Sequence, residues 1–187
     1  MAKTQKSEPS PELQLAGFLA KFAPKIASQA EAILTRLRVN LPHALELVYD
    51  NYNALAIGFG PTERASEAII SVAVYPRWIS LFFLQAKGLP DPTGILEGQG
   101  SVAKHIVLPT PSALDEPAIQ ALIEEALSRA KVAFNPNTSH RVIIKSISAK
   151  QRPRRPPEKP AKPSASSAPG RRSGAVKKVG RQGNADS

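Results

Sequence analysis

The chain of 187 residues contains no cysteine. Disulfides, thiolate nucleophiles, cysteine-ligated zinc and iron–sulfur clusters all require that residue, so these four kinds of chemistry are excluded. A chain without cysteine fits a reducing compartment. We therefore expect a cytoplasmic protein.

Long apolar runs are also missing. No stretch of 18 apolar residues is present to cross a bilayer. The first ten residues, MAKTQKSEPS, contain two lysines followed by polar residues, without the apolar centre of a signal peptide. These features predict a protein that is neither exported nor embedded in a membrane.

The net charge of +10 is distributed unevenly along the chain. Residues 1–150 contain 15 basic and 13 acidic side chains, whereas residues 151–187 contain 10 basic and 2 acidic ones. Residues 151–187 are also rich in proline and serine and have almost nothing apolar to bury, which predicts a disordered tail. The tail either serves as a solubilising extension or attracts polyanions such as nucleic acid without reading their sequence. Its candidate polyanion-binding residues are Arg152, Arg154, Arg155, Arg171, Arg172, Lys177 and Lys178.

Helical patterns occur at both ends of the predicted domain, residues 10–150, which follows a flexible N-terminus of residues 1–9. Ser10 is a predicted N-cap with Pro11 in the first turn, and Pro24 separates a first helix from a second. A last helix is predicted after Asp115 as its cap. A short helix is predicted to begin at Asp91 and to end at Gly98.

Strand patterns fill the region between the helices. Gly58, Gly60 and Pro61 begin a polar loop that predicts a hairpin between two of the strands, and the strand nearest the C-terminus is expected at a sheet edge. The predicted fold is α+β, with two N-terminal helices and a C-terminal helix packed on a mainly antiparallel sheet. The predicted strands are 44–49, 54–59, 68–75, 78–84, 104–108 and 141–148.

One succession of segments is similar to a known family. The chain contains PRWISLFF, then LPDP, then ILEGQGSVAKHIVL and a helix with ALIEEAL. This order resembles the YdhG-like domain-of-unknown-function family, some members of which are labelled frataxin-like iron chaperones. The resemblance covers Leu13 to Phe134 and implies a small α+β fold with helices against a mainly antiparallel sheet. The family often has a lysine soon after the second glycine, where this chain has Ser101 and Val102.

The glycine segment supplies one group of candidate ligand-binding residues. Backbone amides around Gly98 and Gly100, together with Lys104 and His105, are the components of an anion pocket. The alternative is a helix C-cap that leads into a strand, with Lys104 and His105 on opposite faces.

A second group of candidates lies near the predicted turn between the first two strands. Polar and aromatic groups are concentrated in residues 49–53, which are typical of a ligand-binding rim, or simply of a wide turn rich in Asn and Asp. The candidate ligand-binding residues among them are Tyr52 and Asn53. Trp78, the only tryptophan, begins a strand and either lines a pocket or packs under a loop.

Candidates for metal binding and catalysis are sparse in the sequence. An iron site needs oxygen or imidazole ligands gathered in space, and the candidates His43, Glu46 and Asp50 are not in a metal-binding pattern. We predict no cofactor. We also predict no catalytic residue, because there is no nucleophile-elbow motif, the three histidines are scattered, and no paired carboxylates form a recognisable motif. The favoured interpretation is a non-enzymatic domain that binds a small molecule or a protein partner. Two alternatives stay open: an iron-binding chaperone, and a small enzyme that uses the regions of His105 and Tyr52.

Overall fold

A computed structural model describes residues 8–156. Within them, three α-helices and six β-strands follow one another in the order expected from the sequence. The helices are α1 (Pro11–Leu19), α2 (Pro24–Asn40) and α3 (Pro117–Ser128), and the strands are β1 (Leu45–Asp50), β2 (Leu55–Gly60), β3 (Ile70–Val74), β4 (Ile79–Phe83), β5 (Lys104–Leu108) and β6 (Arg141–Ile147). Short 3₁₀ turns occur at Ala65–Glu67 and Pro111–Asp115.

All six strands form one sheet in the order β5-β4-β3-β2-β1-β6. Neighbours from β1 to β5 are antiparallel, while β6 joins the edge of the sheet parallel to β1. The α+β class, the mainly antiparallel sheet, the hairpin between β2 and β3 and the edge position of the last strand are confirmed.

The helices cover one face of the sheet. Alternate residues of the central strands, such as Ile57, Val72 and Leu81, are fully buried and share one core with apolar side chains of α1, α2 and α3. The intervening strand residues point to the opposite face, because successive side chains alternate in a strand. We call this opposite side the open face.

The loop between β2 and β3 folds back over one end of the open face. A Cβ atom added to Gly60 would lie 3.0 Å from the Cα atom of Ala68, and one added to Gly58 would lie 3.5 Å from the Ala68 Cβ. Glycine at these positions allows the loop to come close to the sheet. The rest of the open face is left without a helical cover among residues 8–156.

The helix starts agree with the sequence in part. Ser10 caps α1, with its hydroxyl accepting a hydrogen bond from the Leu13 amide at 3.3 Å. Asp115 does not cap α3, which begins at Pro117 after Glu116; its carboxylate pairs with Arg36 of α2 instead.

The predicted helix from Asp91 to Gly98 is wrong. Both Asp91 carboxylate oxygens accept hydrogen bonds from backbone amides, those of Ile95 at 3.1 Å and Leu96 at 2.9 Å. These bonds hold a turn with Gly94 and Gly98 at positive φ, so the cap residue organises a loop.

The domain also extends beyond its predicted end at residue 150. Residues 148–156, here called the C-terminal strap, lie against the domain: the amides of Ser148 and Arg152 each donate at 2.9 Å, to the carbonyls of Asp50 and Tyr52. Assigning residues 151–156 to a disordered tail was therefore wrong. The remainder of the predicted tail, and most of the predicted N-terminal segment 1–9, lie outside the described residues.

No helix in the described part of the chain is both long enough and apolar enough to span a membrane.

Candidate functional site

A groove of about 440 Å³ lies on the open face. Its floor consists of the small side chains of Ala56, Ser71 and Ala73 on the neighbouring strands β2 and β3. Larger side chains surround this floor, so the concavity results from a difference in side-chain size across the sheet. We call it the sheet groove, and its remaining lining residues are Asn51, Tyr52, Asn53, Ala54, Tyr75, Phe82 and Leu84.

A second groove of about 550 Å³ lies beside the first. It is formed by the turn between β3 and β4 and by the C-terminal strap, and it shares Asn53 and Tyr75 with the sheet groove. We call it the arginine groove because three guanidinium groups line it. Its other lining residues are Pro76, Arg77, Trp78, Arg152, Pro153, Arg155 and Pro156.

The structure brings together some of the predicted ligand-binding residues. Tyr52 lines the sheet groove, Asn53 lines both grooves and Trp78 lines the arginine groove. His105 is next to this surface: its ring stacks on Phe82 of the sheet groove, with ring centroids 4.9 Å apart and planes 20° from parallel.

The glycine segment is separate from both grooves. Gly98, Gly100 and Lys104 line neither of them. The Lys104 ammonium donates to the Gly98 carbonyl, and Glu97 has a carboxylate oxygen 3.7 Å from Nε2 of His105. Lys104 and His105 occupy adjacent strand positions and therefore point to opposite faces, as the alternative interpretation expected.

The three strap arginines have different surroundings. Arg152 and Arg155 are exposed and line the arginine groove, whereas Arg154 is buried. The Nη2 atom of Arg154 donates to Asp50 Oδ1 at 2.7 Å and also to the Asn51 carbonyl. Arg154 is thus engaged inside the domain and is not available to a polyanion. Arg171, Arg172, Lys177 and Lys178 lie outside the described residues.

Asp50 is the buried charge that holds the strap. Its side chain is 1% exposed, and Lys21 donates to its other oxygen, Oδ2, at 2.8 Å. Burial alone would raise the pKa of Asp50, but hydrogen bonds from Lys21, Gln151 and Arg154 together hold that pKa below its ordinary value. Asp50 is therefore an ionised structural group.

Glu46 is a second buried carboxylate, on the helix-covered side of the sheet. Arg38 of α2 binds it with two nitrogens, at 2.6 and 2.9 Å, and His140 Nε2 lies 2.7 Å from Oε1. His43, its sequence neighbour in the metal hypothesis, instead has Nδ1 3.0 Å from the Thr138 carbonyl. No group of three or more His, Asp or Glu side chains suited to a metal ion occurs within residues 8–156.

Sequence reasoning missed several groove residues. Arg77, Tyr75 and Phe82 were not selected, nor were the small floor residues. The signal for the floor was present: Ala56, Ser71 and Ala73 are the small residues at strand positions that alternate with Leu55, Ile57, Ile70 and Val72. Which small residues adjoin one another depends on the register, in which Ala56 lies opposite Ala73.

No protein-family model, curated protein or solved structure matches the chain. The resemblance to the YdhG-like family stays a prediction.

Proposed function

We propose that this protein is a non-enzymatic binding domain whose sheet groove holds a small, flat and largely apolar molecule. The observation that carries the proposal is the concavity of the open face, where a floor of Ala56, Ser71 and Ala73 lies among aromatic side chains. A volume of about 440 Å³ is within the range of pockets that bury small ligands.

The chemistry of the lining supports binding. Ser71, Asn51 and Asn53 present hydroxyl and amide groups, which recognise a ligand by hydrogen bonds. Tyr52, Tyr75 and Phe82 present rings against which a planar molecule can pack. General acid–base catalysis most often uses His, Asp, Glu or Lys, and none of these residue types lines the sheet groove.

Two further assignments belong to the same proposal. A cytoplasmic location is supported by the absence of cysteine. Membership of the YdhG-like family is supported by the succession of β3, β4, the glycine segment and β5 along the chain. This succession has the same order as the sequence segments that carry the resemblance.

The test fills the groove without touching the core. Ala56 is half-buried in the floor, so Ala56→Leu places a branched side chain where the ligand would lie. Ala16→Leu is the matched control, because Ala16 is exposed on α1, in the helical layer. Circular dichroism establishes that both variants are folded.

Native mass spectrometry of the three proteins, freshly purified from their host, measures the bound molecule directly. We expect wild type and Ala16→Leu to carry the same excess mass of a small organic molecule, and Ala56→Leu to lose it. Anilinonaphthalene sulfonate, a flat apolar dye, serves as a defined probe and should bind about tenfold more weakly to Ala56→Leu, the change that corresponds to about 1.4 kcal/mol. Bare masses for all three proteins together with equal dye binding would refute the proposal.

A further inference from the structure

The arginine groove concentrates positive charge that no carboxylate neutralises within residues 8–156. Arg77, Arg152 and Arg155 are exposed, and the ion pairs of the described residues do not include any of them. Arg152 Nη1 lies 3.5 Å from the Asn53 amide oxygen, and Arg155 donates from Nε and Nη2 to the carbonyls of Phe22 and Ala20, each at 3.1 Å. These neutral partners orient the guanidinium groups and leave their charge uncompensated. Such a groove favours an anionic ligand, and phosphate above all.

The same groove contains an exposed aromatic platform. Trp78 is 45% exposed and stacks on Tyr75, with ring centroids 4.8 Å apart and planes 20° from parallel. The turn that carries both rings is closed by a hydrogen bond from the Tyr75 amide to the Trp78 carbonyl at 2.9 Å. Trp78 is thereby held with part of its ring toward solvent, ready to stack on a flat partner without first being ordered.

The chain beyond the groove extends its charge. Pro156, the last described residue, is part of the groove lining, and residues 157–187 that follow contain seven basic and two acidic side chains. The wall of the groove is therefore continuous in the chain with a basic segment, which attracts phosphates by its charge. This arrangement suits a polymer of phosphates more than a single anion.

We infer that the arginine groove binds single-stranded nucleic acid, with one base stacked on Trp78 and adjacent phosphates against Arg77, Arg152 and Arg155. Stacking on an aromatic ring and neutralisation of the backbone by guanidinium groups are the two components by which proteins hold single strands without reading sequence. A duplex has its bases stacked on one another and offers none to Trp78. This site adjoins the sheet groove and shares two lining residues with it, but the tryptophan and the three arginines that would hold the strand line the arginine groove alone. The inference therefore does not depend on the function proposed for the sheet groove.

The first experiment uses the only tryptophan of the protein as the reporter. Full-length protein is titrated with oligothymidylate of about 10 nucleotides, within the usual site size of such grooves, and with an abasic strand of equal length and charge. We expect oligothymidylate to quench the Trp78 fluorescence and to bind about tenfold more tightly than the abasic strand, since one stacked base accounts for a difference of about that size.

Three substitutions separate the groove from the basic segment 157–187. By anisotropy of a labelled strand, Trp78→Leu should lose the preference for oligothymidylate over the abasic strand, while Trp78→Phe keeps a ring and should retain most of it. Arg77→Gln should weaken the binding of both strands and reduce the slope of log affinity against log salt by about 0.7, the value for one phosphate contact on a single strand. Arg64→Gln is the matched control, because exposed Arg64 lies in the β2–β3 loop, at the opposite end of these strands from Trp78.

Several outcomes would overturn the inference. Equal affinity for both strands without quenching would show that only the charge of the chain attracts the strand. Quenching of the Trp78 fluorescence by a duplex as strong as that by oligothymidylate, or binding of a phosphorylated peptide without binding of oligothymidylate, would show that the groove serves another polyanion. Arg77→Gln and Arg64→Gln with the same affinity would remove the groove from the interaction.

Discussion

At the scale of single residues, the least expected feature is the buried hydroxyl of Tyr49. It is buried and has no hydrogen-bond partner within residues 8–156, and burial raises the pKa of the Tyr49 hydroxyl. Tyr49 lies opposite Ala56 in the sheet, so the ring is on the open face beside the floor of the sheet groove. A buried hydroxyl without a partner lowers the free energy of unfolding relative to an apolar group of the same shape.

Tyr49→Phe tests this cost directly. Removing the hydroxyl should raise the free energy of unfolding of the ligand-free protein by about 1 kcal/mol, measured by urea denaturation. Tyr52→Phe is the control, since Tyr52 is 51% exposed and its hydroxyl loses little on folding. A Tyr49→Phe protein that is less stable than wild type would mean that the hydroxyl has a hydrogen-bond partner in solution, such as a buried water molecule.

Residue patterns predicted the elements well where local chemistry decides the outcome. Ser10 and Pro11 begin α1 as expected, because a capping hydroxyl and a fixed proline φ both act within one turn. Asp91 was misinterpreted because the same local hydrogen bonds also form in a loop. Its carboxylate accepts backbone amides equally well at a helix start and in a loop, and the two glycines at positive φ favour the loop.

Pairing between elements was less predictable than the elements themselves. The parallel addition of β6 beside β1 is a contact between residues far apart in the chain, and no local signal encodes it. The grooves depend on such contacts, which explains why the rim with Tyr52 and Asn53 was found separately from Trp78 and their common surface was not predicted. Of the predicted anion-pocket residues, His105 contacts Phe82 of that surface, whereas Lys104 is turned toward Gly98.

The close approach of the β2–β3 loop to its own strand makes a prediction at the scale of elements. Gly60→Ala would place a Cβ atom 3.0 Å from the Cα atom and 3.3 Å from the amide nitrogen of Ala68, and these backbone atoms cannot move away as a flexible side chain would. We expect it to lower the free energy of unfolding by about 1–3 kcal/mol, the usual cost of forcing extra atoms into a packed site. The measurement is urea denaturation.

Gly58→Ala is the control for that prediction, two residues earlier on the same strand and the same face. Its Cβ atom would lie 3.5 Å from the Ala68 side chain, an ordinary contact distance. The stability of this variant should therefore be close to that of wild type. Equal losses in both variants would show that the strand itself rejects a side chain and that the loop contact is not the cause.

At the scale of the whole described molecule, one buried carboxylate binds two basic side chains from different parts of the chain. Asp50, at the end of β1, binds Lys21 from the segment between α1 and α2 and Arg154 from the C-terminal strap. The Arg154 guanidinium lies over the Phe22 ring at 5.4 Å, while its Nε and Nη1 atoms are buried without a partner within residues 8–156. One carboxylate thus joins the sheet, the helical layer and the strap, and the strap in turn supplies a wall of the arginine groove.

This arrangement predicts that the strap loosens when the Asp50 pair is broken. Arg154→Met keeps the apolar length of the side chain but leaves Asp50 with Lys21 as its charged partner. We expect the free energy of unfolding to fall by about 3 kcal/mol, at the lower end of the cost of breaking a buried ion pair. Amide hydrogen exchange at residues 148–156 should become faster. Arg152→Met is the control in the same segment, and because Arg152 is exposed it should change stability by less than about 0.5 kcal/mol.

The pH dependence of stability follows from the lowered pKa of Asp50. Because this pKa is lower in the folded than in the unfolded protein, the ionised carboxylate stabilises the fold above the ordinary value of 3.8. That stabilisation is lost as the pH falls below 3.8 and through the folded pKa.

Asp50→Asn removes the titrating group, so its free energy of unfolding should fall less between pH 7 and pH 2 than that of wild type. Urea denaturation at several pH values measures the difference. Parallel curves for the two proteins would mean that the pKa of Asp50 is the same in the folded and the unfolded protein, so that its ion pairs do not favour the ionised form. A wild-type curve that falls less than the Asp50→Asn curve would mean that the carboxyl is neutral in the fold.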